Sequence, residues 1–295
     1  MDLTVGPNPF FWSVEAVRDF YACLARAPVA RVVLGELVCS KRLPFWQDEI
    51  PGAIETLRAA GKEVALSTLA LITLPRERRL TRDLIEMGLP VEVNDLTALR
   101  FIPNGMPFWV GPLVNVYNEG TLDWLADRGA RRICLPPELP MGAVEILAEA
   151  GRQRGVAVEV WGHGRVPLAI SGRCYHARLH DRAKDNCQFV CGEDPDGRPV
   201  ETLDGQAFLT VNGVQTLSQS VASAARQLGL LRAAGVASLR LSPQSAYFSD
   251  ICEAYAGALG GGAAGLESRL AATTGGAALS DGFLAGEAGV DWSGG

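Results

Sequence analysis

The chain alternates short β-type runs with helical stretches, and this alternation constrains its fold more than any other feature. The predicted strands are residues 2–6, 31–38, 62–69, 91–93, 107–112, 131–136, 156–162 and 238–243. The predicted helices are residues 13–27, 51–60, 76–87, 119–128, 140–151 and 245–258, with Ser13 as a cap, and a short helix capped by Asp95. Repeated βα units favour a parallel sheet, and eight of them predict a closed (β/α)8 barrel of the TIM type.

The competing fold is an open, doubly wound sheet. A dinucleotide-binding sheet of that kind would place G-x-G-x-x-G after its first strand, and the segment after residue 6 has no such motif. The pattern therefore favours the barrel.

Two regions depart from the βα repeat. Residues 163–213 read as a long cysteine-bearing insertion after the seventh strand, and loops of this length are usually functional. Residues 259–295 are rich in Gly and Ala and read as a poorly packed tail, either flexible or docked on a partner. We therefore predict one barrel domain over 1–258, including the insertion, and a tail over 259–295.

Bulk composition excludes several classes of protein. A net charge of −6 and a pI near 5.2 argue against a general nucleic-acid binder. No apolar run approaches the roughly 18–20 residues of a membrane span, and the first residues lack the pattern of a signal peptide. The expected location is the cytoplasm, where the seven cysteines would be thiols, metal ligands or nucleophiles.

Three cysteines, Cys174, Cys187 and Cys191, lie close together in the insertion, spaced C-x12-C-x3-C. Such a group indicates a metal site more readily than three small apolar core residues. Structural zinc sites usually have two short C-x2–4-C pairs, and only one short pair is present here. An iron–sulfur cluster tolerates irregular and distant thiolates, so both metals remain open.

The fourth thiolate would come from Cys39 or from one of Cys23, Cys134 and Cys252. Cys39 ends the second strand, so in a barrel it would lie at the C-terminal face onto which the insertion opens. The other three have the surroundings of core residues. Cys39 is therefore the best candidate.

Basic residues surround the three clustered cysteines. They would stabilise the negative charge of a [4Fe–4S] cluster bound by four thiolates, although a solvated loop would have the same composition. Two of these residues, His176 and His180, are alternative ligands. The full set is Arg173, His176, Arg178, His180, Arg182 and Lys184.

Other polar residues lie at the expected ends of strands. His163 is the best candidate for a general acid or base, and Glu36 and Glu159 are candidates for orienting a substrate or for an internal ion pair. Further candidates are Asn115 and Asn118, as ligand donors or turn residues, and Lys41 and Arg42, as contacts of an anionic substrate or of a cluster.

The segment "VEVWGHGRVPLAISGRCYHARL" (158–179) resembles the signature of peptidase family U32. The matching positions are Glu159, Trp161, Gly164, Ser171, Gly172 and Cys174. Pro167 stands where most members have the first signature Cys. That departure resembles the UbiV-type branch of the family, in which an early cysteine matching Cys39 replaces it, and the likeness extends through "VGPNPFFW", "GELVCSKR", "GPLVNVYN", "DNCQFVC" and "LRLSPQ".

The resemblance implies a [4Fe–4S] protein with ligands Cys39, Cys174, Cys187 and Cys191. It also implies a heterodimer with a second U32-type, UbiU-like subunit that hydroxylates a ubiquinone precursor without O2. Relatives that act on RNA use prephenate as the oxygen donor, so prephenate or a similar organic donor is expected. The net negative charge of the chain and the absence of an appended RNA-binding module argue against RNA as the substrate.

Two other functions stay open. A zinc-stabilised scaffold would carry one zinc ion and no redox activity. A U32-type protease would cleave peptides, but the sequence has no H-E-x-x-H, no G-x-S-x-G and no clear Cys/His nucleophile pair.

Overall fold

The computed structural model describes residues 1–293, and in it eight parallel strands close into a barrel. Each strand pairs with the next in chain order, and the last pairs with both the first and the seventh, which closes the sheet. The predicted (β/α)8 barrel is therefore confirmed. Its strands are β1 (Asp2–Val5), β2 (Arg31–Leu34), β3 (Glu63–Ser67), β4 (Val91–Val93), β5 (Phe108–Val110), β6 (Ala130–Cys134), β7 (Ala157–Ile170) and β11 (Ser238–Leu241).

Besides the short helices Leu43–Trp46 and Leu228–Ala233, which had no predicted bounds, helices cover the outside of the barrel at the six predicted places. Ser13 caps the first of them through a hydrogen bond from the N–H of Ala16 to its hydroxyl. After β4 there is only a 3-10 turn over Leu96–Arg100, capped by Asp95. The helices are α1 (Val14–Arg26), α2 (Leu43–Trp46), α3 (Ile50–Ala59), α4 (Pro75–Glu86), α5 (Glu119–Asp127), α6 (Met141–Arg154), α8 (Leu228–Ala233) and α9 (Phe248–Leu259).

Strand β7 is longer than predicted, because it continues past residue 162 to Ile170. This extension pairs antiparallel with β10 (Gln215–Ser223), which pairs in turn with β9 (Ala207–Asn212). Residues 163–170, predicted as the start of a loop, are therefore strand. The outermost strand, β8 (Arg198–Glu201), pairs with β9.

The stretch from 171 to 197 connects β7 to this added sheet with little regular structure. It contains one short helix, α7 (Tyr175–Arg178), and two 3-10 turns over Lys184–Asn186 and Val190–Glu193. Cys174, Cys187 and Cys191 lie in this stretch. Backbone hydrogen bonds of the turn type hold this stretch together, and the N–H of Ser171 joins it to the turn before β10 by donating to the carbonyl of Val214 at 2.8 Å.

The C-terminal segment is packed against the barrel, so the prediction of a poorly packed tail is wrong. Leu266 and Leu270 are buried in the main core, and Leu279 and Ser280 add a parallel pairing to β10. The Gly-rich composition hid this packing because the apolar anchors are few and widely spaced. The elements are α10 (Leu266–Ala271), β12 (Leu279–Ser280) and α11 (Gly282–Ala285); residues 294–295 of the predicted tail lie outside the described residues.

Within 1–293, no helix combines the length and the apolar character that crossing a bilayer requires.

Candidate functional site

Cysteines from two distant parts of the chain meet at the C-terminal side of the barrel. Cys39 lies in the turn after β2, and Cys174 immediately precedes α7. Cys39, Cys174 and Cys187 pack together around a small apolar group formed by Val38, Ala177 and Val214. We call this arrangement, together with Cys191, the cysteine site.

Cys191 joins the other three through its electrostatic surroundings. The Cys191 thiol is close enough to those of Cys174 and Cys187 to interact with them electrostatically, and the Cys174 thiol is similarly close to that of Cys39. The fold thus brings together the four cysteines that the sequence predicted as ligands.

Glu36 shapes the turn that carries Cys39. Its Oε1 accepts hydrogen bonds from the backbone N–H of Val38 at 2.8 Å and of Cys39 at 3.0 Å. Burial raises the pKa of this carboxyl, against the opposing effect of Arg42 and of the two N–H donors. Glu36, predicted as a candidate catalytic group, here holds a cysteine-bearing turn.

Arg42 is buried beside the cysteine site, with only 1% of its surface exposed. Its Nη1 donates to the carbonyl of Pro9 at 3.1 Å, and its Nη2 donates to Oδ1 of Asn212 at 2.6 Å. Its Nε is buried and has no hydrogen-bond acceptor among residues 1–293. The guanidinium also lies within hydrogen-bonding reach of the Cys191 thiol, so this buried cation belongs to the cysteine site.

Asn212 connects this arginine to the loop of the last cysteine. Its Nδ2 donates to the carbonyl of Cys191 at 3.0 Å and to that of Asp194 at 2.9 Å. Sequence reasoning did not single out Asn212, because it missed strands β9 and β10. The Asn212–Gly213 dipeptide between two alternating runs is a hairpin signal that could have revealed them.

Lys41 binds the cysteine-bearing loop on its exposed side. Its Nζ donates to the carbonyl of Lys184 at 2.8 Å and lies 3.9 Å from Sγ of Cys187. The predicted pair Lys41 and Arg42 thus places two positive charges at the thiols, which suits thiolate ligands.

Three of the thiols are held in the protonated form by their surroundings when no metal ion is bound. Burial raises the pKa of Cys39, Cys174 and Cys191, while Arg42 opposes this rise at each. A bound metal centre would deprotonate them outright, and the adjacent guanidinium would then balance part of the new charge.

The spacing of the sulfur atoms bears on which metal would fit. A zinc ion with Zn–S bonds of about 2.3 Å holds its tetrahedral sulfurs about 3.8 Å apart. Among residues 1–293, no three cysteine sulfurs lie within 4.8 Å of one another. The thiols therefore do not form the tight sulfur tetrahedron of a structural zinc site.

His176 and His180 form a separate group next to the cysteine site. Their rings stack with centroids 5.6 Å apart, and Nε2 of His176 lies 3.0 Å from Oδ2 of Asp194. The donor atoms of these three residues lie within 4.8 Å of one another, so they could hold a metal ion. The guanidinium of Arg198, 3.2 Å from Nε2 of His180, opposes a cation there.

His163 lies within strand β7 and is fully buried. Neither of its ring nitrogens has a hydrogen-bond partner among the described residues, and its ring meets Tyr255 edge-on with centroids 5.9 Å apart. Burial lowers the pKa of His163 to about 4. The neutral ring packs between strand and helix, away from solvent, which is unfavourable for a general base.

Glu159 belongs to a buried ionic network inside the barrel. Its carboxylate accepts hydrogen bonds from Arg240 and from the hydroxyl of Ser238, the latter at 2.7 Å. Arg240 also binds the carboxylate of Glu92. Of the two predicted roles for Glu159, the structure therefore gives it the internal ion pair.

The remaining predicted positions have local roles. Asn115 takes a left-handed conformation after a 3-10 turn, and Asn118 caps α5 by accepting from the N–H of Thr121 at 2.9 Å. Both asparagines therefore act as turn and cap residues, which was the predicted alternative to ligand binding. Cys134 and Cys252 are buried in the core, whereas Cys23 is partly exposed and bonded to Ser249.

Comparisons with known proteins bear on the family and the fold. The sequence profile of peptidase family U32 matches residues 12–289. An uncharacterized B. cereus protein of known structure has 16% identity and a TM-score of 0.38. The alignment covers 58% of this chain and 50% of that protein.

Two further solved structures are similarly distant. A proposed fructose-1,6-biphosphate aldolase from Coccidioides immitis has 12% identity and a TM-score of 0.42, with 92% of this chain and 86% of that chain covered. N-isopropylammelide isopropylaminohydrolase from Burkholderia multivorans has 12% identity and a TM-score of 0.40. The alignment covers 82% of this chain and 56% of that chain. The profile match spans nearly the whole chain, and the chain therefore belongs to peptidase family U32.

Proposed function

We propose that this chain is the iron–sulfur subunit of a heterodimeric enzyme that hydroxylates ubiquinone precursors without O2. Its [4Fe–4S] cluster would be held by Cys39, Cys174, Cys187 and Cys191. The partner would be a second, UbiU-like U32-type subunit, and the oxygen donor an organic molecule such as prephenate.

One observation carries the metal-binding part of this proposal. Cys39 is 135 residues before Cys174 in the chain, yet the two pack in one group with Cys187. Three clustered thiols in one loop fit several roles, but a fourth from a distant turn completes the set that a cluster needs. The Glu36 hydrogen bonds fix that turn.

The surrounding residues fit a negatively charged group. The unpartnered Nε of Arg42 can donate to a thiolate or sulfide, and Lys41 lies beside Cys187. When bound, a [4Fe–4S] cluster supplies one-electron redox chemistry at a potential tuned by such contacts. The chain's own part is to hold the four thiolates, shield them in an apolar shell and balance their charge.

The hydroxylase role is supported by resemblance within the family. In this chain Pro167 occupies the position of the usual signature cysteine, as in the UbiV-type branch. Pro167 lies in β7 opposite Leu217. The presence of Cys39 at the cysteine site is consistent with that branch, whose members use an early cysteine.

The proposal is tested by anaerobic purification of the chain with its partner subunit, followed by iron and sulfide analysis. About four irons and four sulfides per chain, with O2-independent hydroxylation of a polyprenylphenol, are expected. Cys174→Ala should lose both, whereas Cys252→Ala, a core cysteine far from the site, should keep the metal content. A Cys174→Ala protein with full iron content would contradict the ligand assignment.

The same preparation distinguishes the zinc scaffold and the protease. One zinc ion per chain in a colourless protein would replace the cluster proposal. Hydrolysis of a peptide substrate that persists in Cys174→Ala would establish peptidase activity independent of the metal site.

A further inference from the structure

A pocket of about 450 Å³ lies between helices α3 and α4, over the ends of strands β2 and β3. This volume is in the range of small-molecule sites, which are mostly apolar with a few polar groups. We call it the α3–α4 pocket. Its apolar walls are formed by Leu43, Ile50, Leu66, Leu69, Leu80 and Leu84.

The inner end of the pocket is formed by the turn that carries Cys39. Glu36 and Ser40 both line it, and Glu36 binds the N–H of Cys39. Ser40 in turn donates to Oε1 of Glu77 in α4 at 2.8 Å, which ties the turn to the pocket wall. A ligand in the pocket would therefore contact the same five-residue turn that presents Cys39 to the other cysteines.

The charges around the pocket select the kind of ligand. Three acidic residues line it, namely Glu36, Asp48 and Asp83, and no Lys or Arg is among its described lining residues. Asp48 and Asp83 would repel an anion bound here, and no cationic side chain among the described lining residues offsets them. An anionic dicarboxylate such as the oxygen donor is therefore disfavoured, and a neutral apolar molecule is favoured.

The outer end of the pocket is open and apolar on one side. Met87, at the end of α4, lines it with half of its surface exposed. A flexible thioether adapts to ligands of irregular shape, and an apolar rim allows a hydrocarbon chain to extend outward.

We propose that the α3–α4 pocket binds the aromatic substrate of the hydroxylase, a neutral phenol-type ring that carries a hydrocarbon chain. This inference rests on the proposed function and assigns ring binding to this chain rather than to its partner. The oxygen donor, being anionic, would bind elsewhere in the complex.

The test measures binding of 2-geranylphenol to the anaerobically purified holoprotein by equilibrium dialysis. Leu80→Trp and Leu84→Trp fill the pocket and should each weaken binding at least tenfold. Ile146→Trp adds the same side chain at an exposed position on α6 and should leave binding unchanged. Prephenate in excess should not displace the phenol.

Cluster content, measured on the same samples, separates failure of this inference from failure of the proposed function. Three results with cluster-containing protein would overturn the pocket assignment. They are no binding of the phenol, unchanged binding in both filling variants, and displacement of the phenol by prephenate. Pocket-dependent binding by a protein without a cluster would support the pocket while overturning the cluster proposal.

Discussion

The carboxylate of Glu36 accepts the backbone N–H of Cys39 at 3.0 Å, and it accepts that of Val38 at 2.8 Å. A single buried side chain thus fixes the turn through which β2 contributes a thiol to a loop that follows β7. This contact links the barrel to the cysteine site, because β2 and β7 are not neighbours in the sheet.

Replacing Glu36 with Ala should release the Cys39 turn. Two buried N–H groups would lose their acceptor, at a cost of about 1–3 kcal/mol in the free energy of unfolding. Iron content after gel filtration should fall, whereas Glu36→Gln, which keeps an oxygen acceptor, should hold most of its iron. The control is Glu49→Ala, which removes an acid that pairs with Arg18 away from the site. If Glu36→Ala kept as much iron as Glu36→Gln and wild type, the turn would not depend on this acceptor.

Arg42→Lys should weaken metal retention although it keeps the positive charge. The planar guanidinium binds the carbonyl of Pro9 and the amide of Asn212 at once, and an ammonium group cannot reproduce that geometry. We expect a loss of about 1.5–3 kcal/mol in unfolding free energy, the usual contribution of a hydrogen bond to a charged group. Urea titration and iron analysis check this, with exposed Arg58→Lys as the control. Wild-type stability and iron content in Arg42→Lys would mean that only the charge matters.

Arg240→Met should destabilise the barrel strongly. It would leave the carboxylates of Glu92 and Glu159 buried without their shared cation, which typically costs about 3–5 kcal/mol. Arg226→Met breaks an exposed pair with Glu267 and should cost less than about 1 kcal/mol. Urea unfolding of both variants gives the comparison, and similar losses in the two would show that the internal network adds nothing beyond a surface pair.

His163 should make the unfolding free energy depend on pH in mildly acidic solution. Its pKa is lowered from 6.5 to about 4 by burial, so the unfolded chain binds the proton more readily than the folded chain. The stability contribution of the neutral ring is complete above pH 6.5 and is lost as the pH falls toward 4, by about 3 kcal/mol in all. His163→Phe should show a smaller slope over that range in urea titrations. An unchanged slope would mean that the ring is protonated in the folded protein.

The barrel was predictable because its signals are local and repeated. The predicted runs 31–38 and 62–69 contain the buried strands β2 (Arg31–Leu34) and β3 (Glu63–Ser67), which are rich in β-branched and aliphatic residues, and an amphipathic helix follows each. Ser13 and Asp95 act as the caps that the sequence indicated. These features depend on short-range physical chemistry, so one sequence suffices to reveal them.

The site was only partly predictable, because its contacts join distant segments. Spacing identified the three clustered cysteines, and Cys39 was added from its place after the second strand and from the family resemblance. The connection from Arg42 through Asn212 to the Cys191 loop depends on two strands that were not predicted. His163 was expected at a strand end, yet the unforeseen extension of β7 buries it. Burial and pairing of this kind follow from tertiary structure, which periodicity does not encode.

The most direct test of the central claim is the iron and sulfide content, with the visible spectrum, of anaerobically purified Cys39→Ala protein. Cys23→Ala is the matched control, since Cys23 lies in α1 and hydrogen bonds to Ser249. We predict that wild type and Cys23→Ala are brown with equal iron and sulfide, and that Cys39→Ala has lost most of both. A Cys39→Ala protein with the colour and iron content of wild type would contradict the claim that this distant thiol completes the metal site.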